Sequence, residues 1–286
     1  MSVPGVAGLA EVVRALRGWQ HDEAPPHLHP GDVGWHLSYG TAATAGALRV
    51  WRRNGTIVAV GLLDSPDLVR LAIAPDVAGD EELARRMVDD VSRPGRGVLP
   101  SGSVAVEARG EGAFRALLLA AGWQPDEAWT PLRRDLTGPV EGSGLRVEVV
   151  GPEQVAARVA VQRAAFDRST FTARRWHAMA AGSPYADACC LVGYDTRGAA
   201  VAVVTVWSAG PGRPGLLEPM GVHRDHRGHG HGTAICVAAA ATLREMGASG
   251  AVVATPSGNV GAVATYRSAG FRQLPEVRDL RRPALG

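Results

Sequence analysis

Val222-His223-Arg224-Asp225-His226-Arg227-Gly228-His229-Gly230-His231-Gly232-Thr233 is the stretch on which the reading of this chain turns. The residues before it, Gly215 to Val222, read as a strand that has to stop where the His-Arg-Asp block begins. From Gly230 an alanine-rich segment runs to Met246 and halts at Gly247, the pattern of a helix with a C-terminal glycine cap. Arg227, Gly230 and Gly232 therefore occupy the turn that feeds the helix. Glycine lets a backbone approach an anion closely, and the first turn of a helix leaves its amide N–H groups unpaired. Together they predict an anion site formed by backbone, with no side-chain ligand required.

Beyond that helix, Gly250 to Thr255 reads as a short apolar strand, and Asn259 to Phe271 as a second helix ending in a Gly-Phe step. In this order the chain resembles the GCN5-related N-acetyltransferase (GNAT) superfamily. Arg227, Gly230 and Gly232 match its Arg/Gln-x-x-Gly-x-Gly/Ala clamp. Asn259, Ala262, Tyr266, Gly270 and Phe271 match its Asn-x-x-Ala-x-x-x-Tyr-x-x-x-Gly-Phe helix. Either motif alone is common, and a glycine-rich turn without a ligand is the bland alternative. The two in sequence outweigh it.

The resemblance implies acetyl-CoA as co-substrate and assigns its contacts. Met220, Gly221 and Val222 would meet it from the strand end. Arg227, Gly228, His229, Gly230, His231, Gly232 and Thr233 would hold it from the turn, with Asn259 and Tyr266 on the later helix. Tyr266 is the expected general acid, protonating the departing thiolate; a tyrosine buried with its hydroxyl bonded to backbone is the other reading. The family's frequent catalytic glutamate falls at Leu216 here. Glu218, two residues on, shares that face by strand alternation and is the candidate base. It could instead pair with an arginine or support the bend at Pro219. Asn259 suits a helix cap in either case. His223, His226, His229 and His231 are expected to point outwards in different directions and to serve phosphate or adenine-side contacts. No metal site is expected from them.

A length of 286 residues suggests two domains. Laid on itself at an offset of 148 (269 − 121), the chain shows a weak repeat. Ala121-Gly122-Trp123 falls on Ala269-Gly270-Phe271, and Val104–Val106 falls on Val252–Ala254. The expected architecture is α/β (α+β mixed sheet), two tandem GNAT-like domains, each a mostly antiparallel sheet flanked by helices. Residues 1–138 form a degenerate, non-catalytic copy, 139–144 a linker, and 145–286 the catalytic copy. In the first copy the clamp is replaced by Ala78-Gly79-Asp80-Glu81-Glu82-Leu83, whose carboxylates disfavour a pyrophosphate. There Leu118 stands for Tyr266 and Glu111 for Asn259. Pro30 to Leu37 resembles an early helix of tandem members. In the second copy, helices are expected over 152–166 and 172–181, and Phe166, Phe171 and Trp176 either wall the acceptor pocket or form core.

The net charge of +2 argues against nucleic acid. All 30 basic residues are arginine. Glu11, Arg14 and Arg17 interrupt any signal-peptide core, and no apolar run reaches the roughly 20 residues of a membrane span. The three cysteines give neither a disulfide framework nor a zinc spacing. A cytoplasmic protein is expected, monomeric, with a homodimer left open. The leading function is acetyl-CoA-dependent N-acetyl transfer to a primary amine, of a small molecule or a peptide, by direct attack in a ternary complex. A mycothiol synthase-like enzyme is an alternative against which Leu216 argues. A non-catalytic acyl-CoA sensor is another, favoured if Glu218 is buried against an arginine away from the cleft.

Overall fold

The computed structural model describes residues 1–110 and 112–284; Glu111, read above as the counterpart of Asn259, lies outside them. The first part of the chain forms α1 (Leu9–Trp19), α2 (Pro30–His36), α3 (Thr41–Ala47), β1 (Leu48–Arg53), β2 (Thr56–Ser65), β3 (Leu68–Ile73), α4 (Glu81–Ser92), β4 (Val104–Glu107), α5 (Ala113–Ala120) and β5 (Gln124–Asp135). The second forms β6 (Arg146–Val149), α6 (Val155–Ala165), α7 (Ala173–Ala180), β7 (Ala188–Tyr194), β8 (Ala200–Trp207), β9 (Gly215–Val222), α8 (His231–Glu245), β10 (Gly250–Pro256), α9 (Val260–Ser268), β11 (Arg272–Gln273) and β12 (Val277–Arg282).

Local chemistry accounts for the elements around the clamp. β8 is an almost unbroken apolar run, buried along nearly its whole length because α6 and α8 pack on it. α8 buries Ile235, Cys236, Ala239, Ala240 and Leu243, one stripe at helical spacing. It ends as expected: Gly247 sits at φ 81°, and its N–H donates to the Arg244 carbonyl. α7 starts on Thr172, whose hydroxyl accepts from the Arg175 N–H at 3.3 Å. α9 starts on Asn259, whose side-chain oxygen accepts from the Ala262 N–H at 3.2 Å.

The strands join in one mixed, mostly antiparallel sheet, in the order β1-β2-β3-β4-β12-β5-β10-β9-β8-β7-β6, with β11 paired to β5. Two features of that order position everything that follows. First, β5 pairs antiparallel with β10, while β12 lies between β4 and β5. The last strand of each half is thus bonded into the other half's side of the sheet. Second, two neighbouring pairs are parallel and short. β9 meets β10 only at Gly215–Ala251 and Leu216–Val252, although both strands run on. β3 meets β4 at Leu68–Ala105, Val69–Val106 and Arg70–Glu107. Past those rungs the strands part.

The halves are also locked by α2, which packs against β8, β9 and α7. Its Gly31-Asp32-Val33-Gly34 face takes the indole of Trp207 directly. A Cβ on Gly34 would come within 2.3 Å of the Trp207 ring, and one on Gly31 within 2.5 Å. Trp207 is fully buried and donates its Nε1–H to the Glu218 carbonyl at 2.6 Å. Replacing Gly34 with alanine therefore forces the helix off the ring. We expect Gly34→Ala to cost about 1–3 kcal/mol as overpacking, read as a fall in thermal midpoint by calorimetry. An unchanged midpoint would mean that α2 does not depend on this contact.

Candidate active site

The parting strands leave a cavity of about 430 Å³ between the two halves. β9 and β10 give it one wall, through Leu216, Glu218, Met220 and Val252 to Pro256. The opposite wall comes from the first half, including Asp32, Asp64, Arg70 and Glu107. Tyr266, Asn259 and Ala262 of α9 close it on the side of the second half, and Phe166 also reaches it.

Tyr266 lies one turn and a half into α9 and is 5% exposed. Its ring rests edge-on against Phe271, centroids 5.8 Å apart. Among the described residues its hydroxyl has no hydrogen-bond partner, so the reading in which backbone holds it does not apply. Burial pushes the phenol well above its ordinary range, with Cys236 and Glu218 adding to the effect. The group therefore keeps its proton at rest. Asn259 is exposed at the cavity rim and is committed to its cap.

Glu218 keeps 31% of its side-chain surface, which opens on the cavity, and stands 3.5 Å from Arg70. It thus pairs with an arginine and lines the cleft as well. Burial raises its carboxyl well above the usual range against the lowering pull of Arg70, and Asp32 and Asp64 raise it further. Arg70 in turn reaches Asp32 at 2.9 Å and Glu107 at 3.2 Å. Burial opposes its charge, but the four surrounding carboxylates more than offset that and hold the guanidinium well above its ordinary range. Arg109 bridges Glu107 at 2.9 Å and Asp279 at 2.8 Å. His27 and His29 complete this wall; burial depresses them to about 4 and about 3, so both are neutral at physiological pH.

None of these first-half residues was singled out from the sequence. One signal did point at them: Arg70 precedes Glu218 by 148 residues, the offset of the internal repeat. The ion pair joins equivalent positions of the two halves.

The turn from Arg227 to Thr233 is not part of the cavity wall; of the residues assigned to the cofactor, Met220, Asn259 and Tyr266 are. Gly228 and Gly230 both sit at φ 80°, which only glycine adopts without strain. Gly230 has open space where a Cβ would project. α8 begins with no side-chain cap and no acidic residue in its first turn, leaving the amides of His231, Gly232 and Thr233 free to meet an anion. Two clamp glycines have packing duties instead. A Cβ on Gly232 would lie 2.9 Å from Thr265 of α9, and one on Gly221 would lie 2.6 Å from Ala165 of α6. Val222 ends β9, half-buried. Arg227 donates to the Ala165 carbonyl at 2.8 Å, which leaves its remaining N–H groups for a ligand.

The histidines depart from expectation. Their rings gather: His223 and His226 lie 5.3 Å apart, His226 and His231 6.5 Å, His229 and His231 6.0 Å. The tight turn at Gly228 and Gly230 folds the loop back on itself, so the rings share one face. Among the described residues no group of three or more His, Cys, Asp or Glu side chains is arranged to hold a metal ion. Phe171 and Trp176 are core, Phe171 stacking on Trp35 at 5.2 Å, whereas Phe166 is exposed at the cavity.

The corresponding helix of the first half is closed. The Asp80 carboxylate caps α4 by accepting from the Leu83 N–H at 2.9 Å and pairs with Arg53; Glu81 and Glu82 fill the first turn. No helix among the described residues is long and apolar enough to cross a membrane.

Residues 158–271 match the model of the acetyltransferase (GNAT) family. Among solved structures the chain is similar to a tandem GNAT protein from the clavulanic acid biosynthesis pathway, with TM-score 0.61, 17% identity and coverage of 98% of this chain and 95% of that one. It is also similar to an acetyltransferase from the GNAT family of Colwellia psychrerythraea, with TM-score 0.60, 14% identity and coverage of 98% and 97%. A GCN5-related N-acetyltransferase from Sphaerobacter thermophilus gives 0.57, 19%, 99% and 95%. At these identities the likeness is one of fold, and it extends over the whole chain. No curated protein matches the sequence.

The Glu218 shift has a sign that can be measured. With its folded value raised, the native protein holds a proton that the unfolded chain releases near pH 4.3. That contribution is complete below about pH 4.3 and is lost as pH rises through the folded value. Glu218→Gln keeps the neutral form at every pH. We expect it to match wild type in thermal melts near pH 4 and to be more stable at pH 8. A variant less stable than wild type at pH 8 would mean that the Arg70 pair outweighs burial.

Proposed function

We propose that the GNAT-family domain carried at residues 158–271 makes this chain an acetyl-CoA-dependent N-acetyltransferase acting on a primary amine by direct attack in a ternary complex. The observation that carries the reading is the convergence of Tyr266, a buried residue whose hydroxyl is unpartnered, and the Glu218 carboxyl on one cavity, at the point where β9 and β10 part. The uncapped start of α8, with Gly228 and Gly230 in the left-handed region, supports the cofactor assignment. Arg227 and the amides from Gly230 to Thr233 would hold the pyrophosphate, and His229 and His231 would face its phosphates. Met220, Gly221 and Val222 would meet the pantetheine arm along the β9 edge. Bound there, acetyl-CoA supplies the acetyl thioester.

Glu218 accepts a proton from the acceptor's ammonium group, releasing the nucleophilic amine. A carboxylate whose pKa is raised is a stronger base than an ordinary one. Tyr266, still protonated, donates its proton to the departing thiolate and is reprotonated through solvent. Each group moves one proton at a named atom, and no protein nucleophile is needed. Because Glu218 faces the cleft, the arrangement supports the enzyme over a sensor. Leu216 has no group that could serve as the base.

We propose that residues 145–286 are the catalytic copy and residues 1–138 a second copy of the fold without a cofactor site. The Asp80 cap on α4 supports this, since the donors a pyrophosphate would use are already taken. Calorimetry should give one acetyl-CoA site per chain, and two equal sites would overturn the assignment. Gly230→Glu should abolish binding, by charge and by strain at φ 80°. Tyr266→Phe keeps the ring and removes the proton donor. It should lower kcat by about 10²–10⁴-fold while acetyl-CoA affinity stays within about twofold. Wild-type turnover in a variant of unchanged melting temperature would make the hydroxyl structural.

A further inference from the structure

The first half contributes charge to the cavity in a ratio that its own pairing leaves unbalanced. Six carboxyl groups line the cavity: Asp22, Asp32, Asp64, Glu107, Glu218 and Asp279. Three guanidinium groups, Arg70, Arg109 and Arg133, answer them, and burial holds the Asp64, Glu218 and Asp279 carboxyls above the usual range, the state of acidic groups short of counter-charge. Arg133, nearer the mouth, is taken by Asp22 at 2.7 Å. The histidines of this wall are neutral, so they do not close the gap.

The pairing is also uneven. Asp32 holds Arg70 at 2.9 Å, and Glu107 and Asp279 share Arg109 within 2.9 Å. Glu218 has its arginine only at 3.5 Å. Asp64 is exposed to the cavity and has no ion-pair partner among the described residues. A second, independent feature points to a ligand in the same space. The Tyr266 side chain, more than nine-tenths buried, lines this cavity with its hydroxyl unpartnered.

We propose that the acceptor is a small amine carrying at least one ammonium group besides the one that is acetylated, held by Asp64 together with the Asp32–Glu107–Arg70 wall of the first half. This rests on the acetyl-transfer reading above for the word acceptor, but the cation site itself does not.

One physical consideration sets the number of charges at two or more. An amine has to shed its proton to attack, and at that moment it ceases to answer to carboxylates. A substrate with one amine would lose its electrostatic hold as it becomes reactive, whereas a second ammonium keeps it seated. The site is built from opposite polarities: anion-accepting amides and gathered histidines at the α8 end, carboxylates at the far end. Coenzyme phosphates are repelled from the acceptor wall and a polycation from the clamp. The site thus sorts its two substrates by charge. A cavity of about 430 Å³ accommodates an extended di- or triamine. Acetylation removes one positive charge from the ligand and so weakens the product's grip, which favours release.

Titration calorimetry on the full chain, without acetyl-CoA, tests this with 1,4-diaminobutane, spermidine and butylamine. We expect the two polyamines to bind at least about tenfold more tightly than butylamine, each retained charge-assisted contact being worth about that factor. Asp64→Asn, on an exposed side chain that the fold does not need, should weaken diaminobutane about fivefold or more and leave butylamine within twofold. Added salt should weaken the polyamines most. Equal binding of butylamine and diaminobutane, no polyamine binding at millimolar concentration, or an Asp64→Asn protein that binds diaminobutane like wild type would each overturn the proposal. A parallel assay of free CoA release separates the two readings. Butylamine acetylated as efficiently as diaminobutane overturns the cation site and leaves acetyl transfer standing. Tight polyamine binding with no CoA release from any amine overturns acetyl transfer and leaves the cation site.

Discussion

A guanidinium group taken out of water has to be surrounded by negative charge, and Arg70 imposes that demand on the centre of this molecule. It sits on the last rung of the β3–β4 ladder, where the strands separate. Glu107 is its neighbour on that rung, Asp32 reaches it from α2, and Glu218 reaches it from β9. Three separate elements are thereby drawn to one point. A buried ion pair is a poor source of net stability, but it is a strong device for specifying one arrangement over others. Here it fixes how the first half meets the second, and with that the shape of the space between them.

Hydrophobic packing supplies the force that this electrostatic centre lacks. Trp207 seats in the glycine face of α2, and the same indole donates to the Glu218 carbonyl. The position of the candidate base is therefore tied to the docking of a helix from the other half. Asp32 rides on that helix between the two glycines. Close packing and charge thus converge on the same few residues, and the halves act on a single cavity.

Much of the second half was legible in the sequence because its signals are local. A strand that must end at a polar block, a glycine-initiated helix, the Asn259 cap and the Gly247 stop all depend on residues a few positions apart, and each stands where its chemistry places it. The place of Tyr266 on α9 was legible for the same reason. The acidic wall was not, since Asp32, Asp64, Arg70, Glu107 and Asp279 come from five separate elements and segments, and no short pattern relates them. The repeat at 148 residues could have connected Arg70 to Glu218, because equivalent positions of two related folds can meet across a pseudo-dyad. The gathering of the four histidines needed the paired left-handed turns at Gly228 and Gly230, which spacing alone does not dictate. Gly232 fits the clamp pattern and Gly221 lies on the strand before it, yet neighbouring side chains already require their lack of a Cβ.

The placement of β12 between β4 and β5 bears on how such a chain comes to be made. While the polypeptide is emerging from the ribosome, β4 waits with one side unbonded for a partner more than 160 residues away (277 − 107 = 170). A waiting strand edge is an invitation to any complementary strand, including β12 of a neighbouring nascent chain. The same exchange that welds the halves of one molecule could weld two molecules reciprocally at high local concentration. The crossed strands also mean that a cut near residues 139–144 would leave each fragment with an orphaned strand and a missing one. Complementation between the fragments, rather than autonomous folding of either, is what this topology prescribes.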